Sequence, residues 1–135
     1  MVDRLKPWIL PLGIALAACV PFYPPPGAIE IAPPSRFERL YAEMEACTGR
    51  DGDFDRVTWW MVPGYAFRRD AWLYEALWSP GHHIVLTAWN AFQNDALIRH
   101  EIAHDLGFDV EDHADPLMLR CTGRLDSTLS RRQAR

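Results

Sequence analysis

The sequence predicts a small α+β domain, in which a short twisted sheet packs on a helix that carries His100-Glu101-Ile102-Ala103-His104. Apolar residues recur at helical spacing in two segments, and two other segments are rich in tryptophan and β-branched residues. The chain has 135 residues, which is a usual length for one domain. We therefore expect one folded domain over residues 35–135, preceded by two short segments of a different kind.

Residues 1–18 have the composition of an export signal. Arg4 and Lys6 provide positive charge, an apolar stretch follows, and small residues close it at Leu16-Ala17-Ala18. The apolar stretch is shorter than the roughly 20 residues that a membrane-spanning helix needs. A signal peptide is therefore predicted. A buried helix in the folded protein is the alternative.

Cys19 directly follows the small residues at the end of this leader. The arrangement resembles the lipobox of bacterial lipoprotein signals, in which the cysteine is lipidated and becomes the mature N-terminus. The resemblance implies that the protein is held in the cell envelope by a lipid on Cys19, which inserts in the membrane. Val20 stands where an aspartate favours inner-membrane retention, so the outer membrane is favoured, with the domain facing the periplasm or the exterior.

Residues 19–34 are predicted to form a proline-rich linker between the lipidated cysteine and the domain. Six prolines fall in this short segment, and each lacks a backbone N–H and has a fixed φ. We expect such a segment to remain extended, without regular pairing, and to hold the domain a short distance from the membrane.

The first helix of the domain is predicted to start at Ser35. Ser35 and Glu38 have the spacing of a capping box, and Gly49 lies where a helix can end. The apolar residues between them recur every three or four positions, as in a helix that packs on a core. These residues are Phe37, Leu40, Tyr41 and Met44.

Two strands are predicted from composition. The segment Val57 to Val62 is rich in tryptophan and valine and stops at Pro63-Gly64, and His83 to Trp89 contains Ile84-Val85-Leu86. Residues 65–78 are ambiguous, and we expect short strand and loop pieces there.

The second long helix is predicted to begin at a cap formed by Asn90 or Asn94 and to reach Leu106, where Gly107 ends it. Ile98, Ile102 and Leu106 form an apolar back for packing on the core. The chain after this helix is expected to be irregular, with short helical pieces before a basic tail.

The two histidines of the motif lie four residues apart, so on a helix both imidazoles reach one tetrahedral metal ion. Glu101 projects from the adjacent side. It is placed to act on a water whose pKa the metal has lowered, and not as a ligand. The spacing therefore predicts a Zn²⁺ cofactor held by His100 and His104, with Glu101 as the catalytic base. Two exposed histidines on an ordinary surface helix are the alternative interpretation.

The stretch His100-Glu101-x-x-His104-x-x-Gly107 resembles the zincin metallopeptidases, and the metzincin group in particular. That group has a third histidine three residues after the glycine, whereas this chain has Val110 there. Small exported lipoproteins with the same motif, a later His followed closely by Pro, and a late Cys are similar too. These resemblances imply a zincin-like metal-binding domain with His113 as the third ligand.

Cys47 and Cys121 remain as a pair if Cys19 carries lipid, and an exported protein meets oxidising conditions. A disulfide between them would close a loop of about 75 residues and contribute roughly 4 kcal/mol. Two separate buried thiols are the alternative. The lipoproteins that the chain resembles also imply the pairing of Cys121 with Cys47.

Several side chains compete for supporting roles. Carboxylates can also bind zinc, so the third ligand has rivals at Asp109, Glu111, Asp112 and Asp115. Met118 is either the methionine of a metzincin-like turn or a core residue. The candidates for the donor that would stabilise an oxyanion are Tyr65, Tyr74, His82 and His83. The strand through Ile84-Val85-Leu86 is either the edge that binds a peptide by β-addition or a buried strand.

The function predicted from these features is that of an anchored zinc-dependent hydrolase acting on a peptide or protein in the envelope. The alternative is a non-catalytic zinc-binding lipoprotein with a structural or partner-binding role, because about one hundred residues is short for a peptidase. The net charge of −4 argues against a nucleic-acid partner. We expect a monomer.

Overall fold

The computed structural model describes residues 21–109 and 113–123, so the leader, Cys19 and the basic tail lie outside the described residues. Within these ranges the chain forms a mixed α+β domain with four α-helices and two small sheets, which confirms the predicted fold class. The helices are α1 (Ser35–Thr48), α2 (Ala88–Gln93), α3 (Asp95–Asp105) and α4 (Pro116–Thr122). The strands are β1 (Ile29–Ile31), β2 (Thr58–Val62), β3 (Phe67–Arg69), β4 (Trp72–Tyr74), β5 (Ala76–Ser79) and β6 (His83–Thr87).

The larger sheet has the strand order β1-β2-β6-β5. β2 and β6 are parallel, while β1 and β5 pair antiparallel at the two edges. β3 and β4 form a separate antiparallel hairpin. The two predicted strands are therefore the central pair of the sheet, and both faces of that pair are covered by other parts of the chain.

The main core lies between one face of the sheet and the helices. Trp59 of β2 and Ile84 and Leu86 of β6 point to this side and pack with apolar residues of α1 and α3. The apolar back predicted for α3 is confirmed, because Ile98 and Ile102 are completely buried there. Burial of side chains of this size contributes roughly 1.5–3 kcal/mol each, so this face fixes how α3 is rotated against the sheet.

The other face of the sheet is covered by a smaller layer, made of the β3–β4 hairpin and the chain before β1. Val62 and Val85 of the sheet pack there against Phe67, with Phe22 and Tyr74 beside them. We call this the outer layer. Strands alternate their side chains between faces, so the outer layer and α3 lie on opposite sides of the same sheet.

The expectation that residues 19–34 lack regular pairing is wrong for the part that the structure describes. Ile29–Ile31 forms β1 and pairs with β2, and Pro25 and Phe22 pack on the domain. The reason is that the prolines flank this triplet and leave its backbone donors intact. The chain from residue 22 onward is therefore part of the folded unit.

The helix starts differ in detail from the predictions. Ser35 is the first residue of α1, and Pro34 occupies the cap position without a side-chain hydrogen bond, so the predicted capping box does not form. α2 begins at Ala88, where a strand was expected to continue. None of the helices in the described ranges is long and apolar enough to cross a bilayer.

Cys47 at the end of α1 and Cys121 in α4 lie at disulfide distance, with 5.7 Å between their Cα atoms. This agrees with the predicted pairing. The link ties α4 to α1, and α4 in turn packs on α3. It therefore fixes α4 to the main body of the domain.

Candidate metal centre

α3 places two histidines on one side and its apolar residues on the other. Asn94 caps the helix, its side-chain oxygen accepting from the backbone N–H of Leu97 at 3.0 Å, which settles the choice between the two predicted caps. With Ile98 and Ile102 packed in the core, His100 and His104 share the opposite side of the helix, four residues apart. Helix geometry and core packing therefore place both imidazoles on the same side of α3 without any contribution from a metal.

Three histidines converge in the described part of the chain. Nε2 of His104 lies 3.2 Å from Nε2 of His100 and 3.0 Å from Nε2 of His113. One ligand atom from each of the three lies within 4.8 Å of the others. Two nitrogens bound to one tetrahedral zinc at ordinary bond lengths are about 3.3 Å apart. The three imidazoles therefore fit a single metal ion, and the geometry alone does not identify the metal.

The backbone after α3 fixes which nitrogen of His104 faces the cluster. Gly107 adopts a φ of +89°, a left-handed conformation that favours glycine, and the chain turns back so that the carbonyl of Phe108 lies 2.6 Å from Nδ1 of His104. A carbonyl only accepts, so Nδ1 carries the proton and Nε2 presents its lone pair to the cluster. This is the usual arrangement of a metal-binding histidine.

His100 is held neutral as well. Burial, together with the neighbouring His104 and His113, lowers the pKa of His100 to about 3. A neutral imidazole is the form that binds a metal ion. The cluster thus offers several uncharged nitrogen donors in one place, which a divalent cation would satisfy.

Glu101 lies between the two histidines in sequence and is almost completely buried, with 5% of its surface exposed. Burial raises the pKa of its carboxyl to about 8, and a hydrogen bond from the backbone of Trp78 partly opposes this rise. Trp78 belongs to β5. The carboxyl predicted to be the base is therefore held by the edge strand of the sheet, and it is not one of the three clustered ligands.

Asp105 forms a polar network beside the histidine cluster, and this network was not predicted from the sequence. Its side chain is completely buried, and its oxygens accept from Tyr41 at 2.7 Å and from the indole of Trp78 at 3.0 Å. Nδ1 of His82 lies 2.9 Å from the same carboxylate. The spacing of Glu101 and Asp105 is the sequence feature that could have indicated this network. Two acids four residues apart on a helix repel each other unless donors face them.

The rival third ligands do not join the cluster in the described residues. Asp115 caps α4, its Oδ1 accepting from the backbone N–H of Leu117 at 2.7 Å. Asp109 is exposed and is not among the clustered ligands. Glu111 and Asp112 lie outside the described residues. Met118 is buried in the main core, as the simpler of its two interpretations predicted.

The candidate oxyanion donors fall in different places. Tyr74 packs in the outer layer and His83 stacks on Phe22 of the same layer, so both lie across the sheet from α3. Tyr65 is exposed and contacts Trp89. Of the four candidates only His82, through its contact with Asp105, belongs to the polar network next to the histidine cluster.

β6 lies between β2 and β5 and has no open edge, so the second interpretation of this segment, a buried strand, is confirmed and the peptide-binding edge is not. Its poor alternation reflects burial on both faces. The edge strand next to α3 is β5. The N–H of Thr87 donates to the carbonyl of Glu75, so the backbone groups of alternate residues from 75 onward face β6, while those of Ala76 and Trp78 face away from it.

No family model matches this chain, and no curated protein or solved structure gives a significant match. The interpretation of the site therefore depends on its own geometry.

Proposed function

We propose that this protein is a zinc-dependent hydrolase of the metallopeptidase type, with the peptide bonds of an envelope peptide or protein as its substrate. The observation that supports the proposal most is the convergence of three histidine nitrogens, two from α3 and one from the loop after it. Zinc is the metal we propose because three imidazole ligands with one open position are a common catalytic zinc arrangement.

The chain's own residues divide the work between binding and proton transfer. His100, His104 and His113 hold the metal, and bound zinc supplies the Lewis acidity that lowers the pKa of water toward 7. A cation held by the three histidines would favour the ionised form of the Glu101 carboxyl, which takes a proton from water and returns it to the leaving amine. The Trp78 backbone orients this carboxyl, and His82 is our candidate for stabilising negative charge on the substrate.

We place the peptide along β5, the edge strand nearest α3. The backbone groups of Ala76 and the carbonyl of Trp78 face away from β6 and are those that a peptide strand would pair with, since the N–H of Trp78 already donates to Glu101. Such pairing would set the peptide beside Glu101, because Trp78 already contacts that carboxyl. This arrangement is consistent with a substrate recognised mainly through its backbone.

The test replaces one carboxyl oxygen. Glu101→Gln should leave about one zinc per chain and reduce hydrolysis of a fluorogenic peptide library by roughly 10²–10⁴-fold, as the loss of a general base does. Glu38→Gln, at an exposed glutamate of α1, should change neither quantity and serves as the matched control. Equal hydrolysis by wild type and Glu101→Gln would contradict the proposal.

One observation favours the alternative of a non-catalytic zinc protein. The Glu101 carboxyl is shielded from solvent and already engaged by Trp78, as expected for a structural residue. In that case wild-type protein would bind zinc and cleave no member of the library. Unfolding on zinc removal, without any hydrolysis before it, would favour this second function.

We also propose that Cys19 carries a lipid that anchors the protein in the bacterial outer membrane, with the domain facing the periplasm or the exterior. The support is the leader sequence, since Cys19 lies outside the described residues. Mass spectrometry of protein purified from membranes should find an acylated Cys19 as the mature N-terminus. If Cys19→Ala protein differed in mass from wild type by only one sulfur atom, wild type would carry no lipid and the assignment would be overturned.

A further inference from the structure

The outer layer contains exposed aromatic and apolar side chains close to the start of the described chain. Tyr23, Trp72 and Leu73 are all exposed, and Trp72 has 51% of its surface in contact with solvent. Arg68 pairs in register with Leu73 across the hairpin and is also exposed. Tryptophan, tyrosine and arginine are the residues that favour the boundary between lipid headgroups and acyl chains.

The same layer holds the chain next to Cys19. The ring of Phe22 stacks on His83 with 4.0 Å between centroids and lies 5.6 Å from Trp60. The guanidinium of Arg69, from the hairpin, lies 5.8 Å above that ring. Phe22 is therefore fixed to the domain, and only three residue steps separate it from Cys19.

Three residue steps span at most about 11 Å of extended chain. A lipid on Cys19 would thus hold the domain against the bilayer and leave no room for a long tether. The chain leaves the domain from the outer layer, so that layer is the surface which the anchor brings to the membrane. Anionic lipid headgroups would attract the exposed Arg68 of this layer.

We propose that the outer layer is a membrane-contact face, with Trp72 and Tyr23 at the headgroup boundary of the bilayer to which Cys19 is attached. α3 packs on the opposite face of the sheet, so the histidine cluster faces away from the lipid. The inference rests on lipidation of Cys19 and is independent of zinc binding and hydrolysis.

The test compares two exposed tryptophans in the mature, lipidated protein reconstituted in phosphatidylethanolamine and phosphatidylglycerol vesicles that contain brominated acyl chains. Bromine quenches only nearby indoles. Trp72→Phe should lose most of the quenching seen in wild type. Trp89→Phe is the matched control, because Trp89 is 47% exposed but lies on α2, and it should retain that quenching.

Each other outcome would overturn the proposal. Loss of quenching in Trp89→Phe instead would place the membrane at α2, and weak quenching in every variant would show that the domain stands away from the bilayer. Failure of the wild-type protein to float with the vesicles would remove the anchor itself. Near-ultraviolet circular dichroism confirms that both variants remain folded, and zinc content and hydrolysis are measured separately.

Discussion

The indole Nε1 of Trp78 donates a hydrogen bond of 3.0 Å to Oδ1 of the buried Asp105, which joins the edge strand of the sheet to the metal-site helix. The backbone of Trp78 also donates a hydrogen bond to Glu101, which precedes Asp105 by four residues on α3. One residue of β5 therefore contacts both carboxyls that flank His104. Two acids on one side of a helix are tolerated here because each has its own donors.

Removing the Asp105 carboxyl should destabilise the domain strongly. Asp105→Ala leaves Tyr41, Trp78 and His82 without their buried acceptor, and we expect a loss of about 3–5 kcal/mol in the free energy of unfolding. Asp105→Asn keeps one oxygen and should lose less than half as much. Urea unfolding measures both, and equal stability of Asp105→Ala and wild type would contradict the network.

The indole donor can be tested without removing the ring. Trp78→Phe should lose about 1–2 kcal/mol beyond the packing change, because one hydrogen bond to a buried carboxylate disappears. Trp60→Phe is the control, since its indole meets His83 only at 3.5 Å and should lose less. The two unfolding curves measured under the same conditions give the comparison, and a larger loss in Trp60→Phe would contradict it.

The link between Cys47 and Cys121 should contribute much of the stability of so small a domain. Its residues are 74 positions apart, and restriction of the unfolded chain by a loop of that length is worth roughly 4 kcal/mol. Cys47→Ala/Cys121→Ala should unfold at a correspondingly lower denaturant concentration, and reduction of wild type should reproduce the shift. A reductant-insensitive transition in wild type would show that the two thiols are separate.

The sequence was sufficient to predict the elements that carry local patterns. α1, α3, β2 and β6 follow from apolar periodicity, caps and β-branched runs, and the spacing of His100 and His104 predicts two of the clustered nitrogens. β1 was missed because prolines surround it. The order of the strands depends on long-range pairing, which no local pattern records, so the sequence left open whether the segment Ile84-Val85-Leu86 is an edge or a buried strand.

The polar surroundings of the cluster were harder to predict for the same reason. Trp78 has no sequence signal as a partner of Glu101, because their contact depends on how β5 packs against α3. The carbonyl of Phe108 reaches His104 only through the turn at Gly107, and although the motif includes that glycine, nothing in the sequence predicts this contact. His113 was inferred from resemblance, and the structure brings it to His104.

The cap of α3 can be tested by itself. Asn94→Ala removes the acceptor of the Leu97 N–H and should lower the free energy of unfolding by about 1 kcal/mol. Asn94→Asp retains an acceptor and should be close to wild type. Thermal unfolding followed by circular dichroism measures the difference, and an unchanged midpoint in Asn94→Ala would show that the cap contributes nothing.

The third ligand should be distinguishable from its acidic neighbour by zinc affinity. His113→Ala removes one of three clustered nitrogens and should weaken zinc binding by more than the roughly 10–100-fold that loss of an outer-sphere partner causes. Asp109→Asn should change the affinity little. Competition with a chromophoric chelator measures both, and the reverse order would assign the ligand to Asp109.

The most direct measurement is a crystal structure of the zinc-soaked protein with anomalous scattering recorded on both sides of the zinc absorption edge. We expect one anomalous peak about 2.0–2.1 Å from Nε2 of His100, His104 and His113. A peak at other side chains, or none at this cluster when zinc is present in excess, would contradict this expectation.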